Sequence, residues 1–307
     1  MKFPATGIIP PMVTPLSGRD TLDIPGLERL VEHLLAGGVT GIFVLGTTGE
    51  GPSLGYGLRS ELIERVCRLV GKRVPVLVGI SDTAFVESLN ISRHAAQHGA
   101  DALVLAPPYY LPEGQPELLE YLGHLIPELP LPLYLYNMPS LTKVSYELDT
   151  VRRLLDEPRI RGLKDSSGNM TYFHRVLEIV QTRPDWSLLM GPEELLFDAV
   201  LAGGHGGVSG GANLFPELYL RLYEAARDGN LIRARELRRQ LMRVSELIYG
   251  VGRHSSAIIK GIKCALSCMG LCDDFMAEPF HRFRKDEREK VQRNLEILKA
   301  EILSLKL

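Results

Sequence analysis

Short runs of valine, leucine and isoleucine alternate with longer segments of helical period along most of the chain. The runs are GIIPPMV (7–13), GIFVLG (41–46), VPVLVGI (74–80), DALVLAP (101–107), LPLYLYN (131–137), IRGLKD (160–165), WSLLMG (186–191) and GGHGGVSG (203–210). Between them, segments such as LERLVEHLLAGG (27–38), RSELIERVCRLVGK (59–72) and ESLNISRHAAQHGA (87–100) repeat apolar residues at three and four, and two of these segments close on glycine. Such alternation predicts parallel strands joined by helical crossovers. With eight units and no linker or composition break, a closed (β/α)8 TIM barrel is expected rather than a doubly wound open sheet. Beyond the eighth unit the pattern is helical to the end, through ELYLRLYEAARDG, LIRARELRRQLMRVSELIYG and a last stripe of Val291, Leu295, Leu298, Ile302 and Leu305. The expected organisation is α/β, with a catalytic barrel over residues 1–225 and a C-terminal helical extension over 226–307, suited to covering a flank or building an oligomer interface.

Composition narrows the function more than the fold. A chain of 307 residues with 45% hydrophobic and 23% charged residues is an ordinary globular protein. The formal charge of -2, with no dense basic run, argues against nucleic acid and leaves small molecules as partners. The N-terminal stretch MKFPATGIIPPMVTP is broken by Pro10 and Pro11 and does not resemble a signal peptide or membrane span, so a cytoplasmic location is expected. Four cysteines make no disulfide framework. Cys264, Cys268 and Cys272 recur at i, i+4 and i+8, a spacing that on one helix would serve either a metal site or a buried stripe of small residues. The stripe is preferred, because structural zinc sites use shorter spacings.

In a barrel the reactive groups collect where strands run into their following loops. Lys164 ends the sixth run. Desolvation in a barrel mouth disfavours an ammonium, and a neutral amine there can attack a carbonyl to form a Schiff base. The competing assignment is a lysine paired with Asp165, although neighbours on a strand face opposite ways. Tyr136 ends the preceding run and is placed to carry protons for imine chemistry. Tyr134 points the same way one step deeper and is expected to fill the barrel. The turn GTTGEG offers the hydroxyls of Thr47 and Thr48 and the backbone around Gly49 as a carboxylate cradle. The glycine run GGHGGVSGG suits a phosphate or simply tight turns, and the second is preferred because it holds no lysine or arginine. His205, alone among glycines, is expected to be satisfied by backbone. No metal is expected, because the strand ends lack clustered histidines and carboxylates.

Taken in order, GTTGE, PYY, YN.P, LKDSSG and GGVSGGAN resemble the motifs of the dihydrodipicolinate synthase and N-acetylneuraminate lyase family. The resemblance implies a class I, metal-independent lyase or aldolase that needs no cofactor and holds pyruvate, or a 2-oxo acid that releases it, as a lysine imine. Lys164 would be the Schiff-base lysine and Tyr136 the proton shuttle. Thr47 and Thr48 would bind the pyruvate carboxylate, with Thr48 relaying protons to Tyr136, and the backbone carbonyl of Val208 would line the pocket. Tyr110 would complete the relay in a neighbouring subunit's site, within a homotetramer of tight dimers or a homodimer. Two departures bear on substrate. Synthases of this family typically carry YNVPSRTG, whose arginine receives the carboxylate of aspartate semialdehyde; here the stretch is YNMPSLTK, with Leu141 in that place and Lys143 two residues on. GEGPSL replaces the more frequent GESATL and is similar to some 2-keto-3-deoxy sugar acid aldolases. Cleavage of a small hydroxylated 2-oxo acid is therefore expected first, dihydrodipicolinate synthesis second and sialic acid cleavage third. A non-catalytic or regulatory barrel is the alternative of another class.

Overall fold

In the computed structural model, which describes residues 4–305, each of the eight runs forms a strand of one parallel sheet. Met1 to Phe3, where the N-terminal stretch read above begins, lie outside the described residues. The barrel strands are β1 (Gly7–Ile8), β4 (Ile42–Val44), β5 (Val76–Gly79), β6 (Ala102–Leu105), β7 (Leu133–Asn137), β8 (Ile160–Asp165), β9 (Ser187–Met190) and β10 (Gly206–Gly207). A two-stranded ribbon, β2 (Leu16–Gly18) and β3 (Thr21–Leu22), interrupts the first crossover, and its short, mixed sequence gave no warning of it. Sheet order runs β1-β10-β9-β8-β7-β6-β5-β4. The seam closes where the Met12 amide donates to the Phe43 carbonyl at 2.9 Å and the Phe43 amide to the Pro10 carbonyl at 3.0 Å.

Period two decides which side chains fill the barrel. Phe43, Leu77, Val104, Tyr134, Tyr136 and Leu189 form the inner cluster, while their strand neighbours Val76, Val78, Leu103, Leu105, Leu133 and Leu135 belong to the outer core beneath the helices. Both faces are buried, so the strands read as continuous apolar runs instead of alternating ones. β10 is glycine-rich because its pairing with β1 is tight: a Cβ on Gly206 would lie 2.0 Å from the Gly7 carbonyl oxygen. This favours the tight-turn reading of the glycine run.

The helix Ile24–Ala36 shows how local sequence builds the outer layer. The Asp23 carboxylate caps it by accepting from the Gly26 amide at 3.0 Å, and Leu27, Leu30, Val31 and Leu34 bury one face. Each buried leucine contributes about 2 kcal/mol. The C-terminal helices are present as expected: Pro216–Arg227, Leu231–Val244, Ala257–Cys268 and Lys285–Ser304. Residue 225, where the sequence pattern suggested the barrel ends, falls inside the first of these. Leu231–Val244 runs into a π-helical turn over Ser245–Tyr249.

The cysteine spacing requires one correction. The helix Ala257–Cys268 stops at Cys268, so Cys272 lies beyond it and the three do not share one helical face. Cys264 and Cys272 are buried, Cys268 is half-buried, and among the described residues no group of histidine, cysteine, aspartate and glutamate is arranged to hold a metal.

Candidate active site

Two lysines are buried among the described residues. Lys263 is paired with a carboxylate, Glu50, at 2.7 Å. Lys164 instead projects among aromatic rings, its Nζ 4.0 Å from the ring centroid of Tyr136 and 5.2 Å from that of Phe43. β7 and β8 pair with Tyr136 opposite Lys164, so parallel register sets these side chains next to each other on the inner face. The alternative of a Lys164–Asp165 pair fails for the reason period two gives. Asp165 points outward, where its carboxylate accepts from Asn137 Nδ2 at 2.9 Å and from the Ser167 amide and hydroxyl, both at 3.0 Å. Burial pushes its carboxyl above the ordinary range, and those hydrogen bonds partly offset the push.

Tyr136 is the polarised group of the pair. Burial would raise its phenol, but the adjacent Lys164 ammonium and hydrogen bonds with Thr47, Ser166 and Lys164 outweigh burial and bring it below the usual phenol range. The neighbouring Tyr134 has no such ammonium; its hydroxyl meets Ser187 Oγ at 3.4 Å, and burial pushes it up to about 12. One strand thus carries two phenols with opposite shifts, a barrel-filling one and a chemically poised one.

The hydroxyl against Tyr136 is that of Thr47, at 3.2 Å. The family resemblance put the relay on Thr48; the hydroxyl within reach of Tyr136 is that of its neighbour, the first threonine of the turn. Thr48 and Gly49 follow in the same turn. Gly49 is hemmed in, since its carbonyl accepts from Thr14 Oγ1 at 2.6 Å and a Cβ there would sit 2.8 Å from the Met12 carbonyl oxygen. Val208 is buried and lines a small cavity inside the barrel together with Lys164, Phe43, Tyr134 and Leu189. Tyr110, in the loop after β6, is 84% exposed. Leu141 is half-exposed in the short helix Pro139–Thr142, and Lys143 turns back to donate to the Ser140 carbonyl at 2.8 Å instead of reaching in. His205 is satisfied by backbone as expected, its Nδ1 accepting from the Leu188 amide at 3.1 Å.

Ser166 was missed from the sequence, although the signal was there: two residues past Lys164, it shares that side chain's facing. A second omission is Glu193, just after β9. It is fully enclosed and accepts from the Gly211 amide at 2.8 Å, the Tyr249 hydroxyl at 2.8 Å and the Tyr219 hydroxyl. Burial, reinforced by Glu194 nearby, pushes its carboxyl up to about 7 against those hydrogen bonds. Because the folded value lies above the ordinary carboxylate value, the associated stability is complete below about pH 4.5 and is lost as pH rises through about 7. Denaturation midpoints of the wild type should fall across that window by the equivalent of about 3 kcal/mol. Glu193→Gln should flatten this component, and a variant with the wild-type pH dependence would show that Glu193 does not titrate there.

With this geometry in view, comparison with known proteins decides the family. Residues 4–298 match the Dihydrodipicolinate synthetase family. The chain belongs to that family. It is 31% identical to the probable 2-dehydro-3-deoxy-D-pentonate aldolase YjhH of Escherichia coli, over 93% of this chain and 95% of that protein. It is also similar to the solved dihydrodipicolinate synthase of Bacteroides thetaiotaomicron, with 54% identity and a TM-score of 0.95 over 97% of this chain and 100% of that one. A third likeness is to E. coli YagE, solved in complex with pyruvate, with 30% identity and a TM-score of 0.90 over 96% of this chain and 98% of that one. The (β/α)8 architecture follows from both the sheet and these neighbours. The chain is accordingly an enzyme, a pyruvate-dependent lyase or aldolase of the dihydrodipicolinate synthetase family. Among the described residues no helix is long and apolar enough to cross a membrane.

Proposed function

We propose that the protein cleaves a small 2-keto-3-deoxy sugar acid to pyruvate and an aldehyde through an imine on Lys164. The observation that carries this is the juxtaposition of Lys164 and Tyr136 inside the barrel, with the ammonium lying against the phenol ring. The Lys164 nitrogen attacks C2 of the keto acid, and loss of water gives a protonated imine. Tyr136 takes the proton of the C4 hydroxyl as the C3–C4 bond breaks, and the bonding pair moves into the imine as an enamine while the aldehyde leaves. Protonation at C3 and hydrolysis then release pyruvate and the free lysine. Thr47 holds the phenol and passes its proton, Thr48 and the backbone at Gly49 receive the carboxylate, and Val208 lines the pocket. The covalent imine is the electron sink, so the scheme requires no added cofactor and no metal.

The exposure of Tyr110 supports an assembly, a homodimer or homotetramer, in which it enters a neighbour's site; a cytoplasmic location suits such an enzyme. The 54% identity to the Bacteroides synthase favours a second reading, condensation of pyruvate with aspartate semialdehyde. Leu141 weighs against it, because an alkyl chain offers a carboxylate no hydrogen bond. A panel of 2-oxo acids and aldehydes, scored by pyruvate released or consumed, separates the two. Cleavage of the keto acid should exceed condensation, and Leu141→Arg should raise condensation kcat/KM by about tenfold, the worth of one charge-assisted contact. Efficient condensation by the unmodified protein would reverse the order.

A further inference from the structure

We infer that the buried ion pair between Lys263 and Glu50 is a positioning device that holds the Thr47–Thr48 turn in register with Lys164 and Tyr136. The inference rests on the proposed roles of those threonines and extends them to the C-terminal helices. Glu50 ends the turn that begins after β4, and that turn is costly to form. Leu45 and Glu50 both adopt left-handed backbone, with φ of 59° and 56°, a region that side chains other than glycine rarely enter. Local bonds hold part of it, from the Glu50 amide to the Thr47 carbonyl at 3.0 Å and from the Ser53 amide to the Glu50 carbonyl at 2.8 Å.

A further restraint, beside the Thr14 hydroxyl on the Gly49 carbonyl, comes from far along the chain. Both carboxylate oxygens of Glu50 are occupied, Oε1 by Lys263 Nζ at 2.7 Å and Oε2 by the Ala277 amide at 2.8 Å. The side chains of the pair are 0% and 2% exposed. A fully desolvated charge pair contributes little net stability compared with apolar residues of the same shape, but it tolerates little displacement, because moving either partner leaves a buried charge uncompensated. Placed three residues after Thr47, it transmits that intolerance to the hydroxyl that meets Tyr136. The helix Ala257–Cys268 thereby takes part in the chemistry without touching substrate.

The test is borohydride trapping with pyruvate, which reports site geometry without needing the aldehyde partner. Two variants are compared with the wild type: Glu50→Gln/Lys263→Met, which removes both charges together, and Glu50→Asp, which keeps the charge but shortens the reach. Each is expected to raise the pyruvate concentration for half-maximal trapping by about 10- to 100-fold, the range that a displacement of roughly 1 Å costs. Each should also move the phenol-dependent limb of the pH profile toward the ordinary phenol value. The groups facing that phenol are Lys164, Thr47 and Ser166, and only the hold on Thr47 has changed. Folded variants with wild-type half-saturation and pH profile would overturn the proposal. So would failure of both variants to fold, which would assign the pair to folding alone. Thr47→Val, measured in parallel, separates the two levels: if it too leaves trapping and the pH profile unchanged, the role given to Thr47 is what fails.

Discussion

Incubation with pyruvate followed by borohydride is expected to leave a reduced three-carbon adduct on the peptide containing Lys164, and Lys164→Met should lower turnover by on the order of 10⁴-fold or more. The size follows from the covalent scheme. Without an amine at this position the C3–C4 bond has no electron sink, so all steps after binding are lost together. Methionine retains the apolar stem among Phe43, Tyr136 and Leu189, which separates loss of chemistry from loss of packing. Peptide mapping checks the site. An adduct on another lysine, or a variant that still traps pyruvate, would remove Lys164 from the mechanism. Lys263 serves as the internal comparison, since it is also buried but committed to Glu50.

Tyr136→Phe is expected to lower turnover by about 10²- to 10⁴-fold, the contribution of a positioned general acid or base, while adduct trapping persists more slowly. Phenylalanine keeps the ring beneath the Lys164 ammonium and deletes only the hydroxyl that meets Thr47. The pH profile supplies a second readout. Cleavage needs Tyr136 in its phenolate form to accept a proton, so the wild-type rate should fall as pH drops through a phenol titration displaced below the usual value of 10.0, as the Lys164 charge dictates. That limb should vanish in the variant. Unchanged turnover, or a limb that survives the substitution, would transfer proton shuttling to another group.

The barrel was legible because its strands are buried on both faces and its helices on one, which writes two different periods into the chain. All eight strand positions fell within the expected runs. The inward placement of Lys164 and Tyr136 was legible for the same reason: each stands one residue before the end of its strand, and period two sends both inward. Which threonine meets Tyr136 could not be read from the pattern: the relay on Thr48 came from the family resemblance, the hydroxyl in reach is that of Thr47, and the turn passes through left-handed conformations at Leu45 and Glu50 where alternation does not predict facing. Lys263, Tyr219 and Tyr249 gave no signal. Their partners Glu50 and Glu193 are distant in sequence and become neighbours only when the C-terminal helices dock, and a helix-period pattern says that a residue is buried without saying against what. The end of the cysteine helix at Cys268 was missed because the apolar period continues past the point where Gly270, with φ of 73°, turns the chain.

The pairing of β1 with β10, the first barrel strand with the last, also fixes when the protein can finish folding. β1 is made first, yet the Val13 amide waits for Asn213 Oδ1 across 200 positions and the Ala5 amide waits for Ser187 Oγ across 182. Until β10 leaves the ribosome, the growing sheet has open edges whose amides and carbonyls can pair with another nascent chain. Closure of this kind belongs to the slow, high-contact-order class, so yield during rapid expression should depend on temperature and chaperone supply even where the finished enzyme is stable.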